Sequence, residues 1–416
     1  FLAQVGAEEA MAADQVVWSE QGRLHVSASG SIANGTDLAA DKITVATGHG
    51  IRVNDTVVLN QAAGTLKCLV TEVGDDYYKA FPYTQATMDA TGGTTITFTA
   101  SAVTGFVFGS EYKKGTSYDN KGLEPQFASL ENKPVIIKDL YEVSGSDASA
   151  IGWIEVSGEE GQNGYLWYLK GNGDTMARFT DYCEMTCIEG ELTASGAGTT
   201  TDLGAISGTE GLFAAVKARG TVADAGFDSA SESLATMDTL LKRFDTQGAI
   251  EENMMFLNRE TSLAIDDMLA SLNGSAQGNG TNANNVGTSF GLFDNSADMA
   301  LNLGFTGFRR GSYDFYKSDW KYLNDATLRG SFDDITGVIA PAGASNVYDQ
   351  IMGKNMKRPF LHVRYRASQT ENRKMKTWIT GSVGAATSNL DAMEVNYLSE
   401  RCLVTQGANN FVLMTK

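Results

Sequence analysis

Residues 358–416 read RPFLHVRYRASQTENRKMKTWITGSVGAATSNLDAMEVNYLSERCLVTQGANNFVLMTK. Near the start of this stretch the side chains alternate: Phe360, His362, Arg364 and Arg366 share one face, and Leu361, Val363 and Tyr365 share the other. Alternation with a period of two predicts β-strands, and the same pattern is found at residues 377–380, 393–398 and 410–414. The stretch therefore predicts a sheet, and it carries no recognisable catalytic motif.

Two upstream segments accompany this sheet, FRRGSYDFYKSDWKYLND at 308–325 and GYLWYLKGNGDTMARFTDYCEMTCIEGE at 164–191. Together the three segments resemble the major capsid proteins of tailed phages with the Hong Kong 97-like fold, and the sequence is most similar to those of crAss-like phages. The resemblance extends over nearly the whole chain in order. It implies an α+β capsid fold with an N-terminal arm, an extended loop, a spine helix, and peripheral and axial domains, together with a small all-β insertion domain.

Composition limits the possible functions. The chain has 416 residues and a net charge of −18, so it repels nucleic acid overall and is not a general DNA-binding protein. No apolar run is long enough to cross a membrane. The four cysteines are too few and too scattered for a disulfide framework, so we expect reduced thiols. Cys183 and Cys187 lie at helical spacing but have no histidine near them in sequence, so neither a zinc site nor any other cofactor is expected.

Basic residues are concentrated in one strip. Between Lys354 and Lys376 lie eight of the 32 basic residues and only one of the 50 acidic ones, Glu371. Such a strip could be a solvated face, a phosphate site or an interface with an acidic surface on another copy. The alternation places Arg364 and Arg366 along one edge of a strand, which fits an interface better than a nucleic-acid groove, where aromatic stacking partners would be expected. Four candidate intersubunit residues come from this strip: Arg364, Arg366, Arg373 and Lys374.

Residues 36–105 contain short strands separated by turn residues, which predicts a small barrel or sandwich. His49, in Gly-His-Gly, is interpreted as a turn residue. Residues 106–139 form a long, lysine-rich excursion, and the resemblance implies that this is the loop that reaches over a neighbouring subunit. Its lysines are either solubilising residues or candidate intersubunit contacts: Lys113, Lys114, Lys121 and Lys133.

Helical periodicity appears in three places. Residues 173–189 predict an amphipathic helix containing Phe179, Cys183 and Cys187. A capping pair at Ser229 and Glu232 introduces a helix with an apolar stripe that Gly248 ends. A further run from Met254 to Leu272 predicts another helix, which stops at Asn273-Gly274. The Gly- and Asn-rich residues that follow predict a loop.

Enzymatic signatures are absent. The sequence contains no nucleophile elbow, Walker A loop or His-Glu-x-x-His motif, and with three histidines it has little material for hydrolytic triads. We therefore expect a protein that is not an enzyme. The alternative is a β-rich carbohydrate-binding or carbohydrate-active protein with exposed aromatic residues. Trp153, Trp167, Trp320 and Trp378 lie in contexts that favour burial, which argues against that alternative.

The resemblance implies a division of the chain into an arm (1–35), the β-rich insertion (36–105), the extended loop (106–139), a peripheral domain (140–225 and 346–416) and an axial domain (226–345). It also implies that the protein assembles with itself into hexamers and pentamers of an icosahedral shell around double-stranded DNA, which it would contact only non-specifically. Further expected partners are other capsid, portal and decoration proteins and a scaffold or maturation protease, with no membrane. The expected location is the virion, assembled in the cytoplasm of a bacterial host.

Overall fold

The computed structural model describes residues 6–22, 25–32, 41–88, 96–116, 127–149, 166–195, 197, 206–224, 230–274, 291–292, 307–332, 334–349, 354–382 and 387–416. Strands dominate and several helices accompany them, so the predicted α+β class is confirmed. The chain divides into two compact units. One contains Phe1–Trp18 and Leu130–Lys416, and the other is Ser19–Ser129. The chain therefore leaves the first unit and later returns to it.

The second unit contains a closed barrel of six strands in the order β3-β4-β7-β6-β5-β8. Every second side chain of β5 and β6 points inward, and Val57, Leu59 and Cys68 are fully buried there. Alternating apolar residues fill the interior of such a barrel, which leaves no open sheet edge. The strands begin earlier and end later than the predicted 36–105: β3 (Ser27–Ser31), β4 (Lys42–Val45), β5 (Asp55–Gln61), β6 (Gly64–Val73), β7 (Tyr77–Pro82) and β8 (Ala102–Ser110).

His49 is a turn residue, as the sequence predicts. Its Nδ1 accepts a hydrogen bond from the amide of Ile51 at 3.1 Å, and its Nε2 lies 3.1 Å from the carbonyl oxygen of Gly74. Both contacts are satisfied by the neutral ring with its proton on Nε2. The flanking Gly48 and Gly50 have φ values of 80° and 68°, a conformation that glycine adopts without strain.

The first unit contains a sheet of five strands, built on the long strand β21 (Ala392–Thr405). This strand pairs with β10 along one edge and with β19 and β20 along the other, always antiparallel. An N-terminal strand, β1, then pairs parallel with β19. The remaining bounds are β1 (Gly6–Met11), β10 (Val135–Ser144), β19 (Leu361–Arg366) and β20 (Lys376–Gly381). Two further strands, β2 (Val16–Gln21) and β9 (Phe127–Asn132), pair with each other.

A long helix, α2 (Leu166–Glu189), packs on one face of this sheet. The division of the chain implied by the resemblance predicts contact of Trp153 or Phe179 with the strands at 360–400. The Phe179 ring lies 5.7 Å from that of Tyr397, centroid to centroid. The helix starts before the predicted Gly173, so Gly171 and Asn172 are helical as well. Gly171 allows a close approach, because a Cβ there would lie 2.6 Å from the hydroxyl oxygen of Tyr141. The other predicted contact, at Trp153, lies outside the described residues.

A second, seven-stranded sheet has the order β11-β22-β16-β12-β15-β14-β13. The interior strand β16, between β22 and β12, is buried along its whole length. A helix, α4 (Ala230–Gln247), packs on this sheet. Its apolar stripe, which includes Met237 and Phe244, forms a core with β12 (Glu252–Leu257) and β15 (Tyr313–Asp319). The strands are β11 (Thr221–Asp224), β12 (Glu252–Leu257), β13 (Gly291–Leu292), β14 (Gly307–Arg310), β15 (Tyr313–Asp319), β16 (Ile335–Pro341) and β22 (Val412–Thr415), and a hairpin is formed by β17 (Ala344–Asp349) and β18 (Lys354–Pro359). The other helices are α1 (Gly145–Ser149), α3 (Leu212–Arg219), α4 (Ala230–Gln247) and α5 (Arg259–Gly274).

One predicted helix is wrong in its first part. Gly248, with φ of 65°, ends α4 as expected. Met254 and Leu257 lie, however, on β12, which pairs with β15 and β16 in the middle of the sheet. Tertiary pairing on both sides outweighs the helical spacing of these residues, since β-propensity depends on context. The helix begins only after Asn258, whose side-chain Oδ1 accepts a hydrogen bond from the amide of Thr261 at 2.8 Å.

All four cysteines are buried and unpaired with one another in disulfides: Cys68, Cys183, Cys187 and Cys402. Burial raises the pKa of each thiol, for Cys68, Cys187 and Cys402 to about 12. The reactive species is the thiolate, so a raised pKa and burial both suppress reaction. The structure thus agrees with the expected reduced thiols.

We expect the folded protein to react negligibly with a thiol-specific aromatic disulfide at mildly alkaline pH, because little thiolate is present and none is accessible. After denaturation, all four thiols should titrate at once. Absorbance of the released thiolate measures both stages. Rapid stoichiometric reaction of a thiol in the native protein would contradict the burial of that residue.

Candidate subunit interface

The N-terminal strand β1 is an edge strand held by few backbone neighbours, and its sequence GAEEAM is compatible with a helix. It is nevertheless extended, in parallel register with β19, where Glu8 lies opposite Val363 and Glu9 lies opposite Arg364. A strand of this composition has weak β-propensity of its own. Its extended conformation therefore depends on backbone pairing with β19 and on contacts with neighbouring side chains.

Three cationic side chains of the basic strip contact acidic residues of the N-terminal segment. The Arg364 guanidinium lies 3.0 Å from the Glu9 carboxylate. Lys374 pairs with Glu8, and Arg366 pairs with Asp14. Arg366 also donates to the carbonyl oxygen of Ala12 at 3.1 Å. These contacts join the segment to the sheet by charge as well as by backbone hydrogen bonds.

Glu400 lies at the centre of the arrangement. It is 6% exposed, on β21, and its two oxygens each lie 2.8 Å from an arginine Nε, one from Arg366 and one from Arg373. The pKa of Arg366 is raised, chiefly by its hydrogen bond to Asp14. A buried carboxylate is costly without partners, so Glu400 requires these two cations. We call the eight residues Glu8, Glu9, Asp14, Arg364, Arg366, Arg373, Lys374 and Glu400 the N-terminal ion cluster.

The structure thus brings four predicted site residues together, namely Arg364, Arg366, Arg373 and Lys374. Their acidic partners within one chain are the N-terminal segment and Glu400. The sequence predicts an acidic surface on another copy as the partner of these residues, whereas the acidic side chains that contact them here belong to the same chain. Contact of these residues with another subunit stays a prediction.

The predicted lysines do not join the cluster. Lys113 and Lys114 are exposed in a turn of the second unit, where Thr116 Oγ1 donates to the Lys113 carbonyl oxygen at 2.7 Å. Lys133 follows β9 in the first unit and lines a cavity of about 260 Å³ together with Leu192 and Ile206. Lys121 lies outside the described residues.

A surface that the sequence analysis did not identify lies on the face of the five-stranded sheet opposite α2. Leu140, Asn396 and Trp378 occupy one row across β10, β21 and β20. On this face Ile136, Leu140 and Trp378 are 51%, 43% and 36% exposed. We call these three residues the open apolar face. Charged side chains in the adjacent rows include Lys138, Lys376, Glu142 and Glu394.

The exposure of Trp378 corrects the prediction that this residue is buried. The strand pattern shows that Trp378 and Ile379 face opposite ways, but both remain exposed because β20 is an edge strand. Trp320, in contrast, is buried as predicted. Trp18 in the N-terminal segment is also buried, packed with Met11 and Cys402. The side chain of Trp167 and all of Trp153 lie outside what the structure describes.

Within the described ranges, no group of three or more His, Cys, Asp or Glu side chains is arranged to hold a metal ion. None of the helices in that same part of the chain is long and apolar enough to cross a membrane.

No family model matches the chain, and no curated protein matches it. Among solved structures it is similar to the capsid of a native GTA particle (9% identity, TM-score 0.39, 100% of this chain and 89% of that one). It is also similar to a chain of Microbacterium phage Oxtober96 (10% identity, TM-score 0.38, 100% and 90%). The mature capsid of bacteriophage PhiM1 is a third neighbour (10% identity, TM-score 0.36, 73% and 77%). TM-scores this low do not by themselves establish a shared fold.

Reversing one charge of the Glu9–Arg364 pair should release β1 from the sheet. For Arg364→Glu we expect amide hydrogen exchange in residues 6–11 to rise about fivefold, equivalent to about 1 kcal/mol, because the pair becomes repulsive. Glu9→Lys combined with Arg364→Glu should restore protection.

The matched control is Lys376→Glu, which reverses another charge of the same strip whose partner is Glu371 and not the N-terminal segment. It should leave exchange in residues 6–11 unchanged. If the swapped pair protects β1 no better than the single variant, the Glu9–Arg364 contact does not hold the strand.

Proposed function

We propose that this protein is a major capsid protein of a tailed phage, with the Hong Kong 97-like fold and of the crAss-like kind, that assembles with itself into hexamers and pentamers of an icosahedral shell around double-stranded DNA. Its role is structural and not enzymatic. The sequence resemblance at 164–191, 308–325 and 358–416 motivates this proposal. The observation that carries it in the structure is the open apolar face.

The open apolar face suits association between copies. One side of the sheet is covered by α2, where Phe179 and Cys183 pack on Val395 and Tyr397. The other side leaves Ile136, Leu140 and Trp378 accessible between rows of both charge signs. Exposed apolar groups flanked by polar residues are typical of protein interfaces. Lysine and glutamate in adjacent rows would allow a second copy to pair opposite charges across the contact.

The net negative charge of the chain is consistent with a shell that contains DNA without binding it tightly. With 50 acidic and 32 basic residues, the chain offers little counterion release on the duplex. In the described part of the chain, five of the eight cations of the 354–376 strip contact carboxylates. The packaged DNA would therefore be held loosely, and subunit contacts would bear the load.

The proposal includes the division of the chain by resemblance. Residues 1–35 would be the arm, 36–105 the inserted module, 106–139 the extended loop, 140–225 with 346–416 the peripheral domain around the spine helix, and 226–345 the axial domain. The exposed Lys113 and Lys114, with Lys133, would meet a neighbouring subunit, as would those arginines of the N-terminal ion cluster that a second arm can reach. Portal, decoration, scaffold and protease partners and a location in the virion belong to the same proposal.

Electron microscopy tests the proposal directly. The chain coexpressed with its assembly factors should yield closed particles of megadalton mass. Elution as a small oligomer under every assembly condition would refute a capsid function. Glycan hydrolysis by the purified protein would instead support the carbohydrate-active alternative.

A single charge placed in the open apolar face should block assembly and spare the fold. Leu140→Lys is expected to leave the melting temperature within a few degrees of the wild-type value, because the side chain is already 43% exposed, and to reduce particle yield severely. Light scattering of the assembly reaction measures the yield.

Leu390→Lys is the matched control, since Leu390 is 44% exposed but lies outside the open apolar face. It should assemble much better than Leu140→Lys. Equal yields from the two variants would show that the open apolar face is not the subunit contact.

A further inference from the structure

The strand β10 (Val135–Ser144) is the longest of the edge strands of the five-stranded sheet. Along one side it pairs with β21 over all ten of its residues. Along the other side it pairs with no strand among the residues that the structure describes. The edge strands β1 and β20 have six residues each. An exposed edge of this kind is a template for a further strand, because it directs backbone N–H and C=O groups outward.

The side chains on the exposed face of β10 have a self-complementary order. Along the strand they are Ile136, Lys138, Leu140 and Glu142. A cation and an anion therefore lie at equal distances on either side of Leu140. When a second copy of the strand lies antiparallel about a two-fold axis at Leu140, Lys138 of each copy is opposite Glu142 of the other. Opposite charges directly across an antiparallel pair stabilise it.

The charges favour this register over its neighbours. Moving the two-fold axis by one residue, to Asp139 or Tyr141, places Leu140 opposite Lys138 or Glu142 of the second copy. Moving the axis by two residues, to Lys138 or Glu142, places two like charges opposite each other, which destabilises the pair. Among these registers, the axis at Leu140 is the one that pairs both lysines with both glutamates.

The neighbouring strands extend the same complementarity across the sheet. Glu142 lies opposite Glu394 of β21, so this row is acidic and places two like charges side by side within one chain. Lys138 lies in a row that ends at Lys376 of β20, so that row is basic. Two-fold pairing at Leu140 joins the acidic row of each copy to the basic row of the other. It also makes the open apolar face continuous from one copy to the next.

We propose that β10 pairs with β10 of a second copy of this chain, antiparallel about a two-fold axis at Leu140, so that the two five-stranded sheets form one. The inference rests on the proposed self-assembly and specifies one of its contacts. The partner is a second copy because β10 is complementary to itself in charge. Backbone hydrogen bonds supply the affinity in strand addition, and the side chains fix the register. A two-fold contact uses the same surface on both copies, so each substitution in it acts twice.

Disulfide trapping tests the register. The Cα atoms of the two Leu140 residues would be about 4.5–5.5 Å apart, a separation that a disulfide bridges. Full-length Leu140→Cys, coexpressed with its assembly factors and oxidised with copper phenanthroline, should give a dimer on non-reducing denaturing electrophoresis, and a reductant should dissociate it. The four native cysteines are buried, so the wild-type chain should run as a monomer in the same experiment.

Ile136→Cys is the matched control, because Ile136 lies on the same strand and face and is 51% exposed. In the proposed register the two Ile136 residues are about 27 Å apart, too far for a disulfide. This variant should therefore give no dimer. The inference is overturned if Leu140→Cys gives no dimer, or if Ile136→Cys gives as much dimer as Leu140→Cys.

A charge swap tests the pairing of Lys138 with Glu142. In the Leu140→Cys background, Lys138→Glu should slow the cross-linking about tenfold, because both opposed pairs become repulsive. Adding Glu142→Lys restores opposite charges in both pairs and should restore the rate. A double reversal that cross-links as slowly as the single variant would contradict the register.

Electrophoresis and electron microscopy together separate this contact from the capsid function. Closed particles in which Leu140→Cys does not cross-link would refute the contact and leave the capsid function standing. A cross-linked Leu140→Cys dimer without particles under any assembly condition would support the contact and refute the capsid function.

Discussion

The hydrogen-bonded ladder along β21 is the interaction on which the first unit depends. This strand pairs with β10 on one side and with both β19 and β20 on the other, so three segments far apart in sequence acquire their register from it. Its apolar residues Val395 and Tyr397 support α2, and its Leu403 belongs to the core shared with β19. A shift of register by one residue would reverse both faces at once.

That ladder also explains the N-terminal ion cluster. Register on β21 places Glu400 among buried residues, where a carboxylate is stable only if cations accompany it. Arg366 and Arg373 satisfy this requirement, and Arg366 then reaches Asp14. The docking of the N-terminal segment is therefore linked through Arg366 to a buried charge of the sheet. Because Asp14 is exposed whereas Glu400 is buried, solvent screens the Arg366–Asp14 pair more than the Arg366–Glu400 pair.

The two units satisfy the hydrogen-bonding groups of their strand backbones in different ways. The barrel closes on itself and leaves no free edge, whereas the five-stranded sheet ends in the edge strands β1, β10 and β20. Free strand edges on which a further strand could add are thus found on this sheet and not on the barrel.

Much of the local structure was readable from sequence, because period-two and helical patterns report which side chains share a face. The alternation around Arg364, the helix ending at Glu189 and the glycine that ends α4 all follow from such patterns, whereas the α+β class was implied by the family resemblance. Partners do not. The sequence around Glu9 and Arg364 does not indicate which chain supplies the opposite charge to either residue. Met254 and Leu257 have helical spacing although they lie on a strand. The register of a strand, its position at a sheet edge and the neighbours of a buried charge all depend on residues that are far apart in sequence. Only the tertiary structure therefore decided that β12 lies between two strands and that Trp378 is exposed. It also decided that the basic strip contacts the N-terminal segment of its own chain.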